Sequence, residues 1–340
     1  MEKWSGKPVS FADSTITGGF WKTEQDLCRK VTVNAVYDRF EETGRFEALK
    51  MQWKKGMPNQ PHIFWESDVT KWIEGAAYFL KKERDPELEA KIDELVGRME
   101  RTQDTNGYLN AYFTVVEPKA RFSRRTDHEL YCAGHLIEGA IAYKEATGKD
   151  NMLRVAMKYA DLIDRVFRVE HSAAFDTPGH EEIELALMKL YHYTGEERYF
   201  KLAEYFINTR GTNHFFEEEF EKRDHVSFWE KARTPEPNRY YNQYPYNYYN
   251  QFQSPVRLQK KAVGHAVRAV YMYTAMADLA GKTGDKELFA ACRTIWDNIV
   301  KKQMYITGGI GATNSGEAFT NDYDLPNDTN YSDITLVTRD

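Results

Sequence analysis

One carboxylate, Glu317, stands in the middle of a glycine-rich stretch, TGGIGATNSGEAFTNDYDLPNDTNY, that runs from Thr307 to Tyr331. A carboxylate held in a loop that can close on a ligand is suited to proton transfer, as an acid or as a base. The glycines let this backbone approach a ligand, and Pro326 with Asn327 and Asp328 keeps a helix from running through it. Ile310, Phe319, Tyr323, Leu325 and Tyr331 give the loop enough apolar surface to be ordered rather than a linker. Three histidines, His128, His180 and His265, each open a helical segment, and Asp68 holds the analogous place in an earlier one. Imidazoles and carboxylates gathered at one mouth would suit a polyhydroxylated ligand. The same histidines could be helix caps or surface residues. As metal ligands they lack an HExxH spacing, and the shared helical face of His128, Cys132 and His135 is read as packing.

The elements that must position these groups repeat. HELYCAGHLIEGAIAYKEATG, HEEIELALMKLYHYTG and HAVRAVYMYTAMADLAGKTG are helices closed by Thr147-Gly148, Thr194-Gly195 and Thr283-Gly284, each followed by a second helix. The glycine supplies a left-handed C-cap, and the acidic residue after it suits the positive end of the next helix. The histidines lie 20, 15 and 19 residues before their glycines, so hairpins standing side by side bring them to one end, with Glu317 emerging at that end after the last hairpin. Residues 69–82 and 87–102 form a looser hairpin, with Ser67 or Asp68 as N-cap and Pro86 in the first turn of the second helix. A further amphipathic helix is expected over 21–46, ending near Gly44. No segment alternates strictly enough to require a strand. Repeated αα-hairpins with uneven spacing point to an all-α toroid rather than a regular solenoid. The Tyr-, Asn- and Pro-rich stretch from Thr212 to Lys261 is expected to cover one mouth.

Composition narrows the class. The 340 residues are 41% hydrophobic and 14% aromatic, enough for one large domain or two small ones. The net charge of −6 and the mixing of signs exclude a nucleic-acid surface. A mean hydropathy of −0.69 and the lack of a long apolar run speak against a membrane partner. The start shows no apolar signal core, so a cytoplasmic location is expected. Cys28, Cys132 and Cys292 are far apart and read as buried thiols. The 22 tyrosines suit sugar stacking as well as a large core.

The strings SDVTKW (67–72), DTNGYLNAYF (104–113), HELYCAGHLIEGAIAY (128–143), DTPGHEEIELALMKLYHYTG (176–195), AVGHAVRAVYMYTAMADLA (262–280) and MYITGGIGATNSGEAFTNDYDLPNDTNY (304–331) resemble those of glycoside hydrolase family 127, the β-L-arabinofuranosidase family. They occur in the family's order over nearly the whole chain. The resemblance implies an (α/α)6 barrel, normally followed by β-sandwich domains, that releases β-L-arabinofuranose from glycans with retention of configuration. It implies Glu317 as the general acid/base and His128, His180 and His265 as ligands of sugar hydroxyls. Asp68 and Trp72, in the first string, join them as substrate-binding candidates. It also implies zinc, bound by a glutamate and three cysteines, one of which is the nucleophile.

The sequence departs from that pattern at its end. Asp333 falls where the zinc-binding glutamate belongs and Thr335 where the first cysteine ligand belongs, while Cys28, Cys132 and Cys292 match none of the ligands. The expectation is therefore an incomplete barrel over 1–332, an aberrant tail over 333–340, no β-sandwich, no bound zinc and no turnover by the chain as it stands. Missing helices would leave apolar surface open to self-association. Two other functions fit the hairpins: a non-catalytic sugar-binding toroid, and another toroid chemistry such as a sugar 2-epimerase or an unsaturated glycuronyl hydrolase.

Overall fold

A computed structural model describes residues 13–212, 228 and 246–331. Among them every regular element is helical, and the β-type pairing consists of two isolated bridges, His265 with Ala318 and Thr313 with Ala318. The class is all-α, as the hairpin pattern requires. No described helix is long and apolar enough to cross a membrane. The tail expected over 333–340 and most of the stretch expected to cover a mouth lie outside the described residues. The chain forms two compact units, Met1–Arg121 with Tyr131–Val166, and Phe122–Leu130 with Phe167–Asp340.

The first unit contains α1 (Gly19–Leu27), α2 (Val33–Glu42), α3 (Arg45–Ala48), α4 (Trp65–Lys82), α5 (Pro86–Thr102), α6 (Glu129–Thr147) from Tyr131 onward, and α7 (Asn151–Ile163). The helix expected over 21–46 carries a π turn at Cys28–Thr32 and ends at Glu42, two residues before Gly44, whose φ is 82°. On α4 the residues Val69, Ile73, Ala76, Ala77 and Leu80 are buried, and on α5 Leu88, Ile92, Leu95, Val96 and Met99. Both sets recur at three and four residues, so each helix turns one face inward. Each large aliphatic side chain buried in this way contributes about 1.5–3 kcal/mol. Asp85 caps α5, accepting from the backbone N–H of Glu87 at 3.1 Å and Leu88 at 3.0 Å, with Pro86 in the first turn. The cap expected for α4 is corrected: the helix begins at Trp65 after Phe64. Ser67 instead donates to Phe64 O at 2.7 Å and Asp68 accepts from Arg45 Nε at 2.8 Å, so neither side chain is left for a cap.

The second unit contains α8 (Ile183–Thr194), α9 (Glu197–Thr209), α10 (Tyr246–Tyr249), α11 (Ala266–Thr283) and α12 (Lys286–Asn298). Gly195 and Gly284 end α8 and α11 at φ 74° and 71°, the left-handed C-caps foreseen from the Thr-Gly pairs. Asp285 then caps α12 through Leu288 N at 2.9 Å. Ala266, Ala269, Met272, Met276 and Leu279 of α11 pack with Leu185, Ile207, Leu288, Ile295 and Ile299 in one core. Ile310 and Phe319 join that same core. The glycine-rich loop is thereby anchored to the helices on both sides of Glu317.

Candidate active site

His265 is the N-cap of α11, and its Nδ1 accepts from the backbone N–H of Arg268 at 3.4 Å. A ring nitrogen that accepts carries no proton, so the proton of the neutral ring is on Nε2. That Nε2 lies 3.0 Å from Glu317 Oε2 and donates to it. Backbone pairing fixes the contact. Ala266 N donates to Glu317 O at 2.9 Å, Phe319 N donates to Gly264 O at 2.8 Å, and Ala318 exchanges bonds with Thr313. Between these anchors Glu317 sits at φ 52°, a left-handed conformation that costs a non-glycine residue about 1–2 kcal/mol. Tyr331 also hydrogen-bonds the Glu317 carboxylate.

The three histidines form a row. The rings of His128 and His180 are 5.4 Å apart between centroids, and those of His180 and His265 5.3 Å apart. His128 Nδ1 donates to Thr126 O at 2.7 Å and His180 Nδ1 to Glu181 O at 2.9 Å. A carbonyl can only accept, so both rings carry their Nδ1 proton, the reverse of His265. His128 likewise has a left-handed backbone, φ 60°. Tyr249 adds an aromatic edge beside His265, with 5.8 Å between centroids.

Charge follows from this packing. Burial pushes His265 down to about 4, and burial with the Arg268 guanidinium pushes His180 well below the usual histidine range. Glu317 is held below the usual carboxylate range, first by the His265 hydrogen bond and further by Tyr331 and Arg268, against an opposing effect of burial. Near neutral pH the resting state is thus an ionised Glu317 against a neutral His265, with a neutral His180 next to it. Such a set can accept a proton, and can bind hydroxyls through both donors and lone pairs.

Three arginines position the segment that leads into His180. Arg125 donates to Thr177 O at 2.8 Å and pairs with Asp176 at 2.7 Å. Arg210, fully buried, donates to Pro178 O at 2.9 Å and pairs with Glu181 at 2.9 Å and Glu184 at 3.0 Å. Arg268 donates to Gly179 O at 2.6 Å and to Asn250 Oδ1, and lies over the Tyr249 ring at 4.8 Å. Three successive carbonyls are each taken by a different guanidinium. Sequence reasoning missed these residues. Arg268, a charge in the apolar start of α11, was the visible signal.

The structure brings together Glu317, His128, His180 and His265. Asp68 and Trp72 belong to the first unit, where Asp68 pairs with Arg45 and Trp72 is buried against Tyr37 and Phe46. The Trp72 indole donates to Val33 O at 2.9 Å. Asp333 lies outside the described residues. All three cysteines are within them, and none belongs to a cluster of three metal-capable side chains among the described residues. Burial, and next the nearby Glu66, raise the Cys132 thiol well above its usual value, and that thiol donates to Ile63 O at 3.5 Å. Cys292 packs on the core of the second unit and is pushed up to about 12 by burial. Cys28 lies in the π turn after α1.

Comparison with known proteins gives a consistent family. The family model for the β-L-arabinofuranosidase GH127 catalytic domain matches residues 13–334. A non-reducing end β-L-arabinofuranosidase of Bifidobacterium longum subsp. longum is 40% identical over 277 residues, 80% of this chain and 41% of that protein. The crystal structure of a GH127 β-L-arabinofuranosidase from Geobacillus stearothermophilus T6 superposes with a TM-score of 0.84 at 44% identity, covering 94% of this chain and 50% of the other. A GH127 β-arabinofuranosidase structure superposes at 0.80 with 37% identity, covering 96% and 48%. The chain spans half or less of the length of these relatives.

Proposed function

The chain belongs to glycoside hydrolase family 127, and from that membership we propose that its second unit carries the proton-transfer and sugar-binding part of a site for β-L-arabinofuranosides. The observation that carries the proposal is the 3.0 Å contact from His265 Nε2 to Glu317 Oε2, at the end of a row of imidazoles. Glu317 is the general acid/base. In its acid form it protonates the glycosidic oxygen as the bond to the anomeric carbon breaks. In the second step its carboxylate removes a proton from the water that attacks the same carbon. The ligand is an arabinose-containing glycan or oligosaccharide.

His265 and Tyr331 stabilise the ionised form of Glu317, which is the form needed in the second step. A sugar that displaces either donor moves the balance toward the acid form needed in the first. The lone pair of His180 Nε2 accepts a sugar hydroxyl, and His128 faces the same ligand from the neighbouring ring position. A zinc–thiolate centre supplies a nucleophile by keeping a sulfur deprotonated. Cys132 and Cys292, whose thiols burial keeps protonated, do not fit that part.

Calorimetry with L-arabinose tests the proposal. The wild-type chain is expected to bind, and His180→Ala to weaken binding at least tenfold, about 1.4 kcal/mol. Glu317→Gln keeps most of the binding and lowers any turnover of an aryl β-L-arabinofuranoside by about 10²–10⁴-fold. Binding and turnover indifferent to both substitutions in folded protein would sink the assignment.

A further inference from the structure

The first unit contains a set of metal-capable groups that the site above does not use. Glu74 on α4 and His135 and Glu138 on α6 each offer one donor atom, and those three atoms lie within 4.8 Å of one another. The residues are 8%, 3% and 2% exposed. His135 and Glu138 are three positions apart, so they share one face of α6, while Glu74 reaches them from another helix. We propose that these three side chains form a site for a zinc-class divalent cation that ties α4 to α6.

Donor chemistry and distance both suit this. Imidazole and carboxylate oxygens bind such ions at about 2.0–2.2 Å, which sets neighbouring donors of a tetrahedral site about 3.4 Å apart. Donors already within 4.8 Å close that gap by rotation about side-chain bonds, with no movement of the helices. Two carboxylates and a neutral imidazole carry a formal charge of −2 together, which one divalent ion balances at a place where water is excluded. Glu74 is also oriented from outside, since Tyr78 donates its hydroxyl to Glu74 Oε1 at 2.7 Å. Support of this kind holds a ligating carboxylate in place. A further residue that could compete, Cys132, lies one turn before His135 and has its thiol engaged by Ile63 O. The site is therefore of nitrogen–oxygen type, unlike a thiolate centre, and does not depend on the proposed sugar site.

The test uses the full chain, stripped with a chelator and dialysed. Titration with Co²⁺, read by visible d–d absorption, and with Zn²⁺, read by calorimetry, should give one bound equivalent and a raised melting temperature. His135→Gln and Glu138→Gln, checked for folding by circular dichroism, should weaken binding by more than the about 10–100-fold that loss of an outer partner costs. Glu74→Asp, a milder change, should weaken it measurably. If the ligand variants do not fold, paramagnetic shifts of the wild-type histidine rings decide: the shifted ring must be His135. A folded chain that binds no Co²⁺, binding unchanged in His135→Gln and Glu138→Gln, or shifts on another histidine overturns the proposal.

Discussion

His265 points its Nε2 proton at Glu317 because its other ring nitrogen is occupied as the N-cap of α11, accepting from Arg268 N–H at 3.4 Å. A helix cap therefore selects the tautomer that holds the carboxylate ionised. Removing the imidazole leaves the opposing effect of burial in place. His265→Leu is expected to raise the Glu317 pKa, to or above the ordinary glutamate value. A carbon-13 NMR titration, with Glu317→Gln identifying the resonance, reads it. A Glu317 pKa that stays depressed in His265→Leu would show that Tyr331 and Arg268 suffice.

The same buried ring makes stability depend on pH. The unfolded chain binds a proton at His265 near 6.5, whereas the folded chain does so only near 4. Between those values the unfolded state holds more protons, so this residue's contribution to stability falls as pH drops from 6.5 to 4. The full loss is about 3 kcal/mol. Glu66 and Glu181, both pushed up to about 7 by burial, act with the opposite sign over the same range. The difference between wild type and His265→Gln is thus the useful quantity. Denaturant melts at pH 4 and pH 7 should find the gap between the two proteins smaller at pH 4, and an unchanged gap rules out His265 as its source.

What was legible beforehand was local. Thr-Gly pairs mark hairpin turns because only a left-handed residue ends such helices cheaply, and Gly148, Gly195 and Gly284 all lie at φ near 75°. Three histidines at matching places before those turns, and a carboxylate in a loop returning to them, were enough to assemble the row and Glu317. The guanidinium contacts to Thr177, Pro178 and Gly179 were not legible, because a carbonyl acceptor is present at every residue and leaves no mark in sequence. His135 was read as packing for a related reason. Its partner Glu74 lies 61 positions earlier, a pairing that no local spacing announces. The α4 start was misplaced since Ser67 and Asp68, good caps by type, are engaged otherwise, Ser67 by the local carbonyl of Phe64 and Asp68 by Arg45.

Gly179 tests how tightly the His180 segment is held. A β-carbon there would overlap the Arg125 carbonyl oxygen and come within 2.9 Å of its carbon, both rigid backbone atoms. Gly179→Ala must displace the segment, at a cost of about 1–3 kcal/mol. Since Arg268 holds Gly179 O, the shift carries to the His180–His265 spacing. L-Arabinose binding should fall at least tenfold with a melting temperature only moderately lowered. Unaltered affinity would mean that the backbone can yield without moving His180.

Arg210 gives the sharpest prediction for stability. Its guanidinium is fully buried and serves Glu181, Glu184, Pro178 O and Asn250 O at 2.9–3.0 Å. A buried ion pair is of modest net value compared with apolar packing, because both ions lose water. Removing one member is different, for it leaves the other charged and dry. Arg210→Met keeps the volume and strands two carboxylates, and about 3–5 kcal/mol of stability should be lost. Arg210 is also the chief influence lowering Glu181, which burial already holds up to about 7. In the variant Glu181 takes a proton at still higher pH, so part of the lost stability should return as pH is lowered from 8 toward 6. Equal destabilisation at both ends of that range would mean that Glu181 is served by another cation.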